Sequence, residues 1–145
     1  MANTSVSAFE RTTQKTHQLL REIGKQLGWQ EREHQAYSFL RVFLHTLRDR
    51  LTVEEAAQFA SEMPMLLRGL YYEGWKPSVV PKKMNKEQFI HTIQTQVNFS
   101  FEMGIEEAIQ RLWSVLRRHM SSGEATDIEM MMPKELTAFL RGIHT

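Results

Sequence analysis

The chain contains no cysteine. Disulfides, zinc–thiolate sites, iron–sulfur clusters and thiol nucleophiles are thereby excluded. Glycine and proline are scarce, 7 and 4 in 145 residues, too few for the tight turns of a many-stranded protein. Neither sign of charge is in excess: 18 Lys and Arg face 17 Asp and Glu, a net charge of +1. Nucleic-acid binders usually carry a basic surplus, so nucleic acid is not the expected partner. No apolar run reaches the roughly 18 residues that would mark a bilayer span, so membrane insertion is not expected. Met1 to Ala8 lack the basic-then-apolar order of a secretory signal, and a cytoplasmic location is the default expectation. Local catalytic signatures are missing too: there is no Gly-x-Ser-x-Gly, P-loop, Gly-x-Gly-x-x-Gly or His-Glu-x-x-His.

What the chain does have is helical periodicity. Leu19, Leu20, Ile23 and Leu27 make one apolar stripe, which Gly28 is expected to end. Ala36, Leu40, Phe43, Leu44, Leu47 and Leu51 make a second, longer one, and Leu44 and Leu47 are expected in the core. The opposite face carries Ser38, Arg41, His45 and Arg48, where His45 is expected to be solvated. Thr52 with Glu55 forms a capping box ahead of Ala56 and Phe59. Pro64 suits the first turn of a further helix, bearing Leu66, Leu67, Leu70 and Tyr71 and ending near Gly74. Asn85 with Gln88 is another cap.

The second half follows the first at an offset of 69 residues. Leu47/Leu116, Arg48/Arg117, Glu55/Glu124, Ala56/Ala125, Met63/Met132, Pro64/Pro133 and Leu67/Leu136 are identical pairs. Chance would supply roughly two on ordinary composition. The capping box recurs as Ser121 and Glu124, and at an offset of 70 the first stripe falls on Phe89, Ile90, Ile93 and Val97. The expected fold is therefore all-α: a compact bundle of about eight helices, built by tandem duplication of a four-helix unit. Residues 1–11 are expected to form a flexible tail and 12–145 a single helical domain. Repeat one covers about 14–74, a linker 75–84, and repeat two about 85–143.

The run from Leu44 to Pro77, LHTLRDRLTVEEAAQFASEMPMLLRGLYYEGWKP, resembles the prokaryotic domain-of-unknown-function family 2267. The resemblance rests on Leu47 to Leu51, Glu54-Glu55-Ala56, Arg68-Gly69-Leu70-Tyr71, Glu73 to Pro77, and Gly123-Glu124 through Met132-Pro133. It extends from about Thr16 to Gly142. It implies a small, all-helical bacterial domain and carries no activity with it.

Few constellations could carry chemistry. Glu31 to His34 has the Glu-x-x-His spacing of di-iron bundles, but the second half offers Gln88 to His91, and Gln is a poor ligand for a hard metal. No metal and no cofactor are expected. Arg48 and Arg50, with Arg117 and Arg118 in the second half, could hold an anion through their guanidinium forks, or pair with nearby carboxylates. The segment Tyr71 to Pro77 breaks the repeat, its counterpart ending at His144. Tyr72, Trp75 and Lys76 are candidate partner contacts, because Trp and Tyr dominate interface hot spots. The alternative is that Trp75 pins the linker to the core. Of Met130, Met131 and Met132, one or two are expected to be exposed. The expected function is a non-catalytic protein-interaction or regulatory domain, with another protein as partner and a homodimer compatible with the sequence. An anion or small-ligand binder using the arginines is the alternative, and an enzyme of unrecognised type the third.

Overall fold

Eight α-helices and no strand make up the described residues, 6–142 of the computed structural model. Helix α1 (Ser7–Gln26) runs through the first stripe and buries Leu19, Leu20 and Ile23. It starts at Ser7, which corrects the expectation of a tail over residues 1–11 from that position onward. The Thr12 hydroxyl accepts from the Leu66 backbone N–H at 2.8 Å and so ties the second turn of α1 to a segment 54 residues away. Residues 1–5 and 143–145 lie outside the description, and His144 with them.

Gly28 takes a left-handed φ of 73° and turns the chain. Helix α2 (Glu33–Arg50) follows as the central element; its Phe39, Leu40, Phe43, Leu44 and Leu47 have no accessible surface. Helix α3 (Val53–Ser61) opens with the complete Thr52–Glu55 capping box. Helix α4 (Met65–Tyr72) starts after Pro64, and Gly74, at φ 77°, lies just past its end. A 3-10 turn (Pro77–Val79) marks the linker. Helices α5 (Lys86–Gln96), α6 (Ile105–Arg118), α7 (Ser122–Met131) and α8 (Lys134–Leu140) complete the chain. Both α5 and α7 carry their capping boxes, Asn85–Gln88 and Ser121–Glu124.

The packing crosses between the halves. α1 lies on α6 and α2 on α5, while α3 meets α7. Equivalent carbonyls are satisfied by different residues. Arg68 donates to the Ala60 carbonyl at 3.2 Å, and Thr137, 69 positions later, donates to the Glu129 carbonyl at 2.7 Å. One cluster of buried side chains runs through both halves. The core therefore belongs to the pair; a unit of some 60 residues buries too little surface to be secure alone. Among the described residues no helix is long and apolar enough to cross a membrane.

Candidate functional site

The arginines singled out in the sequence sit at the C-terminal ends of α2 and α6, and the structure separates their roles. Arg48 is buried. Its Nε donates to Asp49 Oδ1 at 2.8 Å, and its Nη1 donates to the carbonyls of Tyr71 and Glu73 at 2.8 and 2.9 Å. Those carbonyls close the end of α4, which has no intrahelical partners for them. These three bonds occupy Nε and Nη1, so most of the guanidinium is committed to the fold. Arg50 is half-buried and donates to the Met84 carbonyl at 3.2 Å. Arg117 Nε lies 3.0 Å from Glu129 Oε2, an ionic contact outside hydrogen-bond alignment. The same carboxylate accepts from Trp113 Nε1 at 3.0 Å, and Arg141 approaches its other oxygen at 3.9 Å. Arg118 is exposed, and among the described residues it makes no such tie.

His45 corrects the expectation of a solvated side chain. It is half-buried, with Nε2 2.7 Å from the Leu70 carbonyl. Burial pulls its pKa below the ordinary value, and the positive charges of Arg48 and Arg41 act in the same direction; the Leu70 bond opposes them.

Tyr71 is fully buried and its hydroxyl donates to the Ala56 carbonyl at 2.9 Å. Burial pushes its phenol well above the usual range. Tyr72 and Trp75 are half-buried and stacked outward from it: Tyr71 to Tyr72 is 5.3 Å between ring centroids, and Tyr72 to Trp75 is 5.2 Å. Trp75 Nε1 is enclosed without a hydrogen-bond partner among the described residues. Lys76 is exposed. The aromatic segment thus forms a ladder leaning on the core. Met130 is strongly exposed at 78%, Met131 is half-buried and Met132 is buried.

Two concavities matter. One, of about 700 Å³, lies between the halves, where α1 and the α3–α4 corner meet the end of α6. Its charged lining is of mixed sign: Lys15, Glu22, Glu62, Arg118 and His119. His119 Nε2 lies 3.0 Å from the Glu22 carboxylate and so ties α6 to α1. Beside it, a hydrogen bond with Glu124 holds the Glu62 carboxyl above its ordinary pKa and Glu124 below.

The other is a groove of about 670 Å³ over α1, α2 and α4. Phe9, Tyr37, Met65 and Leu66 line it, and each is exposed, by 58, 43, 53 and 49%. Leu20, Leu40 and Leu67 form its buried floor, and Gly69 and Leu70 also line it. Glu73 is the one Lys, Arg, Asp or Glu in the lining. Sequence reasoning missed this surface because Phe9 stood in the supposed tail, and because the spacing along one helix does not tell which faces of three helices adjoin. It also missed Trp29, which is buried and stacked with Phe39, Phe99 and Phe101 at 5.9, 5.1 and 5.4 Å. One signal was present: Trp29 and Phe99 are 70 residues apart, the offset that relates α1 to α5.

Among the described residues no group of three His, Asp or Glu side chains is placed to hold a metal ion. No curated protein matches the chain. The family model for an uncharacterized conserved protein, DUF2267, matches residues 16–139, which takes in α2–α8 and most of α1, so the chain belongs to that family.

Proposed function

We propose that the domain is a non-catalytic protein-interaction module whose docking surface is the groove over α1, α2 and α4. One observation carries this reading: at three of the groove's four exposed apolar positions the other half carries a charged side chain. At the 69-residue offset Tyr37, Met65 and Leu66 fall on Glu106, Lys134 and Glu135. All three of those are exposed, as a solvated helix face should be. The shared fold therefore does not require apolar groups at these places. Contiguous exposed apolar surface that the fold does not require marks interaction sites in soluble proteins. The reading treats the halves as copies, which their matched caps and crossed packing support. In it, Tyr72 and Trp75 brace the end of α4 beneath the groove, and Arg48 and His45 fasten that end to α2.

A photo-crosslinking residue placed at Met65 of the full chain tests the proposal, with Lys134 as the matched control. Discrete protein adducts should form from position 65, be absent from position 134, and disappear when Leu66→Glu is added. Equal labelling from both positions, or adducts indifferent to Leu66→Glu, would overturn the reading.

A further inference from the structure

We infer that the cleft between the halves, at the C-terminal end of α6, accepts an extended peptide segment of a partner protein, with an acidic residue two places before an apolar one. This surface is separate from the groove over α1, α2 and α4, and the inference takes the halves as copies. The chain itself carries the precedent. In the linker, residues 80–85 run without turn or bend, and Lys82 to Met84 cross the end of α2. The Lys82 N–H donates to the Asp49 carbonyl at 2.7 Å, and its Nζ stands 3.8 Å from Asp49 Oδ2. The Met84 carbonyl accepts from Arg50 at 3.2 Å, and the Met84 side chain is half-buried against the common core.

The matching place in the other half is open. At the 69-residue offset Asp49 and Arg50 fall on Arg118 and His119, which line the cleft of about 700 Å³. At the offset of 70 that relates α5 to α1, Lys82 to Met84 fall on Thr12 to Gln14. Those residues are inside α1, which begins nine residues before Thr16, the counterpart of the first residue of α5. Thr12 bonds α4 instead, through Leu66. The longer α1 has turned the strap of one half into helix in the other. Among the described residues no donor reaches the Arg118 carbonyl, which belongs to the last turn of α6 and has no intrahelical partner. Buried Leu19, Phe59, Met63, Leu67 and Leu116 floor the cleft and offer an apolar seat like the one Met84 takes.

Charge selects the acidic residue. Asp49 meets Lys82, whereas Arg118 has the opposite sign, so a segment repeating the contact carries Asp or Glu in place of the lysine. Among the described residues Lys15 and Arg118 make no ion pair, while Glu22 is matched by His119 and Glu62 is engaged with Glu124. His119, held by Glu22, is not free to copy Arg50. The anchors are therefore the Arg118 carbonyl, its guanidinium and the apolar floor. A guanidinium fork receives a carboxylate through two parallel bonds. Side chains two places apart on an extended segment point the same way, so the acid and the apolar group face the cleft together. Backbone bonds supply affinity in this mode, and the alternate side chains supply specificity.

The test uses the full chain and a fluorescent peptide that copies residues 78–86 with Lys82→Glu. Anisotropy should show saturable binding. The unaltered copy should bind about ten-fold more weakly, because its lysine is set against Arg118. A copy with both Lys82→Glu and Met84→Gly should also bind about ten-fold more weakly, having lost its buried side chain. In the protein, Arg118→Asp supplies the charge that Asp49 has and should reverse the preference between the first two peptides. Arg118 is exposed, so this variant should fold as the parent does. Leu66→Glu, in the groove, should leave peptide binding unchanged. No saturable binding, or a preference that Arg118→Asp does not reverse, overturns the inference. So does peptide binding that Leu66→Glu abolishes, or a dimer of the chain that Arg118→Asp disrupts. Adducts from position 65 report on the groove alone, so each reading can fail without the other.

Discussion

Arg48 and Arg117 stand 69 residues apart, each near the C-terminal end of a long helix, and their neighbourhoods differ. Arg48 is buried, and it fastens the end of α2 to the end of α4 through two backbone carbonyls and Asp49. Arg117 is 38% exposed and meets one carboxylate, Glu129, which is 4% exposed and stands where the first half has Ala60. The first half has thus invested its arginine in closing α4, and the second in neutralising a buried acid beside Trp113. Identity of sequence at a repeated position therefore preserves a register; it does not preserve a set of contacts. Arg68 and Thr137 show the converse: unlike side chains 69 residues apart reach carbonyls at the same offset.

The largest expected effect tests this difference directly. Arg48→Met should cost about 3–5 kcal/mol in urea unfolding, because it leaves the carbonyls of Tyr71 and Glu73 without their donor and Asp49 with Lys82 alone. Glu129→Ala should cost less, about 1–3 kcal/mol, chiefly the lost partner of Trp113 Nε1. The arginines it frees, Arg117 and Arg141, are 38 and 48% exposed and rehydrate. Equal losses would show that the two clasps are energetically alike, and a larger loss for Glu129→Ala would reverse the comparison.

The elements of the fold were legible in the sequence, since they rest on local rules. Leu44 and Leu47 lie on a 3.6-residue stripe and are fully buried, and all three capping boxes form. Trp29, Phe99 and Phe101 escaped because they lie in segments between helices, where no period marks burial. The candidate site was largely illegible for a related reason. Phe9, Tyr37 and Leu66 come from three helices, and only their docking makes them neighbours. The arginines were visible as residues, but nothing local tells that two carbonyls from the end of α4 arrive at Arg48.

Trp75 offers the next comparison, since its counterpart, His144, lies beyond the described residues. Trp75 is half-buried and its ring stacks on Tyr72. Full burial of a large aromatic is worth about 3–5 kcal/mol on truncation to Ala, so Trp75→Ala should cost about 1–3 kcal/mol in unfolding free energy. Partner capture from position 65 should change little if stability is maintained by a lower temperature. A stable Trp75→Ala protein that no longer binds would move the contact surface from the groove to the aromatic ladder.

The smallest effect concerns how the two halves close their last helices. In the first, His45 Nε2 meets the Leu70 carbonyl at 2.7 Å; in the second, Gln110 Nε2 donates to the equivalent Phe139 carbonyl at 2.9 Å. Only the first of these groups titrates near neutrality. Burial lowers the pKa of His45 in the folded chain below its ordinary value of 6.5, so the unfolded chain binds a proton that the fold resists. Its contribution to stability is therefore complete above about pH 6.5 and is lost as the pH falls from there through the lower folded value. Arg41 and Arg48, both close enough to contribute, deepen the loss, and Asp49 opposes it. His45→Gln offers the Leu70 carbonyl an amide donor, the group that meets Phe139 in the second half, and removes the titrating ring. The stability difference between parent and variant should shift against the parent between pH 7 and pH 5, whereas Gln110→Ala should give a loss independent of pH over that range. A parent and His45→Gln pair with parallel pH profiles would show that His45 stays solvated enough to titrate as a free side chain.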